Sequence, residues 1–178
     1  AAAVHWGGGT PSAIGTVRMA RIMAKLREHF DCLPDVEIAV EMDPRVLSAD
    51  DIDTLTRDMG VNRTSIGVQD FDAEVQQAVN RVQPYDLVAE TVTHLRKGGI
   101  LDLNLDLMYG LPFQRRDNFG KSADLAVGLS PERMTLFGYA HVPWMFSHQN
   151  LIKEGDLPNA EERLVLFQVA LERLEKAG

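Results

Sequence analysis

Short apolar segments and longer amphipathic segments follow one another along this chain in a regular order. The short segments are rich in β-branched and other apolar residues, as in VEIAVEM at residues 36–42 and LDLNLDLMYGLP at residues 101–112. Between them, apolar residues recur at the spacing of a helix that buries one face, as do Met19, Ile22, Met23, Leu26 and Phe30. The pattern predicts five strands, beginning near Val4 and continuing at residues 36–42, 64–69, 101–112 and 133–140.

The boundaries of the predicted helices are indicated by capping and stop signals. Ser48 with Asp51 three residues later resembles a capping box, and Gly60 stands where that helix should end. Further helices are predicted at residues 72–80, 84–96, 119–129 and 161–175. The last of these is expected to bury one apolar face, which consists of Leu164, Phe167, Leu171 and Leu174.

Strands that alternate with helices are typical of a parallel sheet with right-handed crossovers. We therefore predict an α/β fold, a partial TIM-like (β/α) barrel of parallel strands with outer helices. The barrel would be incomplete, because five strands do not close the usual eight. A Rossmann-type sheet is the alternative, and the absence of a GxGxxG fingerprint disfavours it. From the length we expect a single domain over residues 1–178.

The stretch VHWGGGTPS, residues 4–12, joins the first strand to a run of three glycines. Glycine leaves the backbone uncovered, so a ligand can approach the main chain closely. Thr10 adds a hydroxyl group and Pro11 fixes the exit of the chain. The stretch predicts a polar ligand held by backbone at the end of a strand. An ordinary glycine-rich turn is the alternative.

Polar or small residues recur at the predicted strand ends, one strand–helix unit apart: Gly9, Glu41, Gln69, Asp106 and Ala140. Because parallel strands end at the same edge of a sheet, we expect these positions to converge on one ligand.

Each of these side chains also has a structural interpretation. Asp106 lies in a strand whose leucines point to the other face, so its carboxylate either meets a ligand or forms an ion pair with Arg63 or Arg81. Glu41 could hold ribose hydroxyls or cap the next helix. Gln69 could act as a neutral bidentate group and Arg81 as a carboxylate clamp.

Composition narrows the classes of partner. Acidic residues number 26 against 18 basic ones, and this net charge of −8 disfavours nucleic acid. Cys32 is the single cysteine and the five histidines lack metal-ligand spacing, so we expect no metal site formed by this chain alone. No apolar run is long enough to span a membrane, and we expect a cytoplasmic protein without a membrane partner. Trp6 and Trp144 are expected to be packing residues.

Six motifs together closely resemble the oxygen-independent coproporphyrinogen III oxidases, a radical S-adenosylmethionine (SAM) family: HWGGGTPS, VEMDPR, NRTSIGVQDFD, VNRVQ, LNLDLMYGLPFQ and FGYAHVPW. The resemblance spans nearly the whole chain. It implies an oxidoreductase of haem biosynthesis that binds two SAM molecules beside a 4Fe–4S cluster and oxidatively decarboxylates coproporphyrinogen III to protoporphyrinogen IX. It also implies a porphyrinogen substrate, a separate electron donor and a monomer.

The resemblance assigns SAM contacts residue by residue and no catalytic residue. Gly8 and Glu41 match contacts to the first SAM, and the following match contacts to the second: Gly9, Thr10, Gln69, Arg81, Asp106 and Ala140. The family's CxxxCxxC cluster motif, expected before Val4, is absent from the chain. We therefore interpret the sequence as an internal fragment that is inactive alone.

Two alternatives remain open. A haem chaperone-like radical SAM protein would share the glycine run and GVQDFD without having oxidase activity. An unrelated barrel enzyme would bind a phosphate ester at the glycine run and would not bind SAM.

Overall fold

The computed structural model describes residues 1–178, and it contains five strands and six α-helices in alternation. The strands are β1 Ala3–Trp6, β2 Glu37–Met42, β3 Arg63–Gln69, β4 Asp102–Tyr109 and β5 Arg133–Gly138. The α-helices are α1 Thr16–His29, α2 Ala49–Asp53, α3 Ala73–Ala78, α4 Tyr85–Lys97, α5 Arg116–Gly128 and α6 Ala160–Ala177. All five predicted strands are present, and a π-helical turn, Thr54–Asp58, continues α2.

The strands form one sheet in the chain order β1-β2-β3-β4-β5. Strands β1 and β2 pair in parallel with Val4 opposite Ile38, and β2 and β3 pair in parallel with Val40 opposite Thr64. Because the order is linear, β1 and β5 are edges and the sheet is not closed. The predicted α/β fold with an incomplete barrel of parallel strands is confirmed.

The chain divides into two compact units, and the single domain predicted from its length stays a prediction. The first unit comprises residues 1–67, 86–105 and 131–133. Its core contains fully buried side chains from α1 (Met19 and Met23), from the π-helical turn (Leu55) and from β3 (Ile66). These residues belong to the apolar faces that the sequence pattern predicted.

The predicted capping box at the start of α2 is confirmed. The Asp51 backbone N–H donates to Ser48 Oγ at 3.2 Å, and the Ser48 backbone N–H donates to Asp51 Oδ2 at 3.0 Å. Thr16 Oγ1 also donates to Asp51 Oδ1 at 2.7 Å, which ties the start of α1 to α2. Hydrogen bonds from Ser48 and Thr16 lower the pKa of the Asp51 carboxyl group, because they favour its charged form.

The second unit comprises residues 68–85, 106–130 and 134–178, and α5 packs against α6 within it. The buried residues of α6 are Leu166, Val169 and Ala170. A side-chain carbon at Gly120 would lie 3.5 Å from Val169, an ordinary van der Waals contact, so Gly120 faces α6 at the packing surface between the two helices.

The predicted buried face of α6 was wrong. Leu164, Phe167 and Leu171 are exposed, at 56%, 36% and 39%. The helix carries two apolar stripes, and its packing against α5 covers the other one.

Two further sequence predictions of burial were wrong. Ile22 of α1 is 44% exposed and Phe30 lies just beyond the end of that helix with 59% of its surface exposed. Trp144 is 79% exposed and therefore does not pack. None of the helices has the length and apolar character needed to span a membrane.

Candidate functional site

The glycine run lies in the first unit, directly after β1, and its backbone is exposed. Gly8 has φ 89° and Gly9 has φ 104°, values in the left-handed region that favours glycine. A side-chain carbon placed on either residue would meet no atom within 4 Å. The main chain is therefore open to a ligand at both positions.

Glu41 of β2 is half-buried and lies beside the glycine run. The backbone N–H of Gly8 donates to Glu41 Oε2 at 3.3 Å. The structure thus brings together the two residues that the resemblance assigns to the first SAM. The carboxylate remains partly accessible, so it can also accept hydrogen bonds from a ligand that bears hydroxyl or ammonium groups.

Gly7 is a site residue that the sequence reasoning missed. A side-chain carbon there would lie 2.7 Å from Glu41 Oε1, closer than such atoms approach in proteins, so any larger residue would displace the carboxylate. The register of β1 against β2 is the signal that identifies this residue. Trp6 pairs with Val40, and the next position along each strand brings Gly7 beside Glu41.

Thr10 follows the glycine run and precedes a 3-10 turn, Pro11–Ile14. Its side chain is exposed and makes no capping hydrogen bond to that turn, so its hydroxyl group is available to a ligand. The α-helix itself begins only at Thr16. The glycines therefore lead into a turn, not directly into the N-terminus of α1.

Gln69 and Arg81 line one pocket of about 330 Å³ in the second unit. Gln69 is the last residue of β3 and has φ 71°, an uncommon value for a residue other than glycine. Its side-chain Oε1 is buried and has no hydrogen-bond partner. The pocket thus combines an amide and a guanidinium with a largely apolar wall, to which Ala78, Val79, Met108, Leu111, Leu151 and Ile152 contribute.

Ala140 is exposed and lies two residues beyond the end of β5. Its carbonyl oxygen accepts a hydrogen bond from Gln149 Nε2 at 3.2 Å, and Gln149 Oε1 accepts one from the Val142 backbone N–H at 2.6 Å. Gln149 also lines the 330 Å³ pocket. The second unit therefore holds the Ala140 backbone next to the pocket of Gln69 and Arg81.

Tyr139 gives the same pocket a hydroxyl group. Burial raises the pKa of this phenol, because it disfavours the charged phenolate. Its hydroxyl oxygen lies 3.3 Å from His141 Nδ1. The neutral phenol can therefore serve as a hydrogen-bonding group at the pocket wall.

Asp106 lies in β4 and is half-buried, whereas Leu105 and Leu107 on the opposite face are fully buried. The predicted alternation of this strand is confirmed. Arg63 is one of the two arginines proposed as ion-pair partners of Asp106. Its Nη1 contacts Glu37 Oε1 at 3.0 Å, and its Nε is 4.0 Å from Asp102 Oδ2.

The residues present do not fit an iron–sulfur cluster. Such clusters are held by several thiolates, and Cys32 is the one cysteine of the chain. The structure contains no group of three or more His, Cys, Asp and Glu side chains that could hold a metal ion.

The family described as the radical SAM superfamily matches residues 1–126 of this chain. The oxygen-independent coproporphyrinogen III oxidase of Salmonella typhimurium is 42% identical to the chain over 175 residues. That alignment covers 98% of this chain and 38% of the relative. The resemblance inferred from the six motifs is confirmed.

Solved structures show the same similarity. A coproporphyrinogen III oxidase from Escherichia coli, described as a radical SAM enzyme, superposes with a TM-score of 0.95 at 40% identity and covers 99% of this chain and 41% of its own. The archaeal Elp3 of Methanocaldococcus infernus superposes with a TM-score of 0.72 at 15% identity, over 94% of this chain and 44% of its own, which indicates a shared fold alone. The chain spans about two fifths of the length of the oxidases that it matches.

Proposed function

This chain belongs to the radical SAM superfamily, and from that premise we propose that it forms the SAM-binding part of an oxygen-independent coproporphyrinogen III oxidase. The proposed reaction is the oxidative decarboxylation of coproporphyrinogen III to protoporphyrinogen IX in haem biosynthesis. The observation that carries the proposal is a contact at the end of β1. There the glycine run has left-handed backbone angles and open space beside it, and its Gly8 N–H donates to the Glu41 carboxylate of β2. Each of two propionate side chains would lose one hydrogen atom, one electron and carbon dioxide and become a vinyl group. A radical formed by cleavage of SAM would take the hydrogen atom, and the electron would pass to an acceptor.

We assign Gly8 and Glu41 to the first SAM molecule. SAM carries an α-ammonium group, a carboxylate and a ribose with two hydroxyl groups. The carboxylate of Glu41 offers acceptors for hydroxyl or ammonium donors, and the open space beside Gly8 admits the ligand to the main chain. Gly7 supports this arrangement, because it leaves room for the Glu41 carboxylate.

We assign Gly9, Thr10, Gln69, Arg81, Asp106 and Ala140 to a second SAM molecule. In the second unit, the Arg81 guanidinium at the pocket wall suits the carboxylate of the ligand, because guanidinium and carboxylate match as planar, bidentate partners. The Gln69 Oε1 atom, buried without a partner, suits a donor such as the ligand's ammonium or amino group. The apolar wall of the pocket suits the remaining surface of the ligand.

Any 4Fe–4S cluster would need thiolates that these 178 residues do not supply, because Cys32 is the one cysteine. No step of the proposal depends on a contact between this chain and the cluster. The role of the residues described above is to bind and orient SAM.

We also propose that the protein acts in the cytoplasm as a monomer, with a separate electron donor and without nucleic acid. The acidic excess of eight charges supports the last of these, because phosphate backbones attract basic surfaces. The cytoplasmic location fits the single cysteine, which suits a reducing compartment, and the electron donor and the monomer follow from the resemblance.

The test is anaerobic turnover by the complete polypeptide that carries this sequence. The polypeptide is reconstituted with iron and sulfide and supplied with SAM, a reductant and coproporphyrinogen III. We expect protoporphyrinogen IX, identified by mass spectrometry after oxidation to the porphyrin, and two molecules of carbon dioxide for each substrate molecule.

The control separates an oxidase from a haem chaperone. The same preparation is incubated with haem and an apo-haem protein, and haem transfer is followed by absorbance. Transfer of haem with no decarboxylation of coproporphyrinogen would refute the proposed reaction and favour a chaperone. Affinity for phosphate esters with none for SAM would refute both.

A further inference from the structure

Gln69 and Arg81, two polar residues of the 330 Å³ pocket, are each followed along the chain by a buried polar residue that belongs to a hydrogen-bond network. Gln69 is followed directly by Asp70, which is 1% exposed, and Arg81 is followed two residues later by Gln83, which is fully buried. Buried polar side chains are uncommon unless hydrogen bonds compensate their loss of water. The partners of these residues therefore indicate what the network holds in place.

Gln76 of α3 connects the two chain segments. Its Nε2 donates to the Asp70 carbonyl oxygen at 2.8 Å and to the Gln83 carbonyl oxygen at 2.7 Å. Its Oε1 accepts from the Gln83 backbone N–H at 2.9 Å. The Arg81 backbone N–H donates to the Gln76 carbonyl oxygen at 2.8 Å. One residue, itself 4% exposed, thus fixes the backbone beside Gln69 relative to the backbone of Arg81.

The Asp70 carboxylate anchors the same segment from the other side. Its Oδ1 accepts from Ser122 Oγ at 2.6 Å and from the Asp72 backbone N–H at 2.7 Å. Its Oδ2 accepts from Gln114 Nε2 at 2.6 Å. Burial raises the pKa of this carboxyl group, and the hydrogen bonds from Ser122, Asp72 and Gln114 oppose that effect.

The orientation of the Gln114 amide is itself fixed. Its Oε1 accepts from the backbone N–H groups of Gly110 at 2.7 Å and Leu111 at 2.9 Å, so its Nε2 faces Asp70 and cannot exchange places with the oxygen without losing both bonds. Leu111 lines the pocket. The network therefore joins the end of β3, the segment of Arg81 and the segment after β4.

We infer that Gln76 and Asp70 are positioning residues that set the separation of Gln69 and Arg81 and thereby tune the affinity of the pocket for SAM. This inference rests on the proposed function. Gln69 adopts a left-handed backbone conformation, which a residue other than glycine keeps only when its surroundings determine it. Gln76 supplies those surroundings by binding the backbone carbonyl of Asp70, the residue that follows Gln69, and the Asp70 carboxylate supplies them through its bonds with Ser122 and Gln114.

The test compares Gln76→Leu with wild type in the complete polypeptide. The substitution keeps a similar volume and removes three hydrogen bonds. We expect the dissociation constant of the second SAM molecule, measured anaerobically by calorimetry, to rise about tenfold or more, as does the KM for SAM in turnover. We expect kcat at saturating SAM to change much less, because the network touches no reacting atom.

Thr91→Val is the matched control. Thr91 is a buried side chain of α4 whose Oγ1 donates to the Leu87 carbonyl oxygen at 2.8 Å, outside the network. It should leave the SAM dissociation constant unchanged even though a buried hydrogen bond is lost. If Gln76→Leu does not fold, Gln76→Met replaces it, because it removes the same three hydrogen bonds and its unbranched side chain keeps the length of glutamine.

Wild-type SAM affinity in a folded Gln76 variant would overturn the inference, and so would an equal loss of affinity in Thr91→Val. Absence of SAM binding by the wild type would overturn both the inference and the proposed function. SAM binding without decarboxylation would overturn the proposed reaction alone, and the dissociation constants would still decide the role of Gln76.

Discussion

Gly8→Ala tests whether the open space at the end of β1 belongs to a ligand. A side-chain carbon at Gly8 meets no atom within 4 Å, so the alanine methyl group has room in the protein without SAM. The expected cost there is conformational. Because Gly8 has φ 89°, alanine must adopt the left-handed region. That conformation costs about 1–2 kcal/mol, so Gly8→Ala should lower the melting temperature of the protein without SAM.

Gly99→Ala supplies the matched control. Gly99 has φ 93° and is also open, with no atom within 4 Å of its added side-chain carbon. It follows α4 and has no assigned role in SAM binding. The two variants should therefore lose similar stability in the absence of SAM.

Only the Gly8 variant should lose affinity, because only its methyl group would occupy ligand space. We expect its SAM dissociation constant to rise at least about tenfold, equivalent to about 1.4 kcal/mol. The assay is anaerobic calorimetry on the complete polypeptide, together with thermal melts with and without SAM. Unchanged SAM affinity in Gly8→Ala would show that the glycine run is only a turn. An equal loss in both variants would show that backbone strain, and not contact with SAM, controls affinity.

Three further predictions concern the carboxylates of Asp51 and Asp106 and the 4Fe–4S cluster. The pKa of Asp51 lies below its ordinary value of 3.8, so the contribution of this carboxylate to stability is present above that value and is lost as the pH falls through the folded-state pKa. Thermal melts should therefore show that Asp51→Asn destabilises the protein at neutral pH and progressively less in acid. Asp106→Asn should greatly reduce turnover with little change in melting temperature, whereas a loss of about 3–5 kcal/mol with SAM stabilisation preserved would identify a buried structural ion pair. The 178 residues alone should hold no 4Fe–4S cluster after anaerobic reconstitution, because Cys32 is the one thiol, and stoichiometric iron and sulfide after desalting would contradict this.

Local sequence patterns predict much of the fold. The alternation in β4 predicted the buried leucines, and the Ser48–Asp51 pair predicted the cap of α2. Both signals depend on residues a few positions apart, whose geometry the backbone period fixes. The candidate site followed from the same logic, since the glycine run and Glu41 end neighbouring strands and Gly8 does contact Glu41.

Other features depend on which surfaces meet. The pattern of α6 offered two apolar stripes, and only the position of α5 selects Leu166, Val169 and Ala170 for burial. The helical period identifies faces but carries no information about which face a neighbouring helix covers. Trp144 is exposed for the same kind of reason, because a large apolar side chain is buried only where other elements surround it.

The sequence by itself thus determined the order of strands and helices, the family and the strand-end residues proposed to bind SAM. Only the tertiary structure decided the need for glycine at Gly7, which arises from the Glu41 carboxylate on the neighbouring strand. It also decided the network of Asp70, Gln76 and Gln114, in which Asp70 meets a side chain 44 positions away along the chain. Polar side chains of this kind form no periodic pattern, and the fold alone determines which donor meets which acceptor.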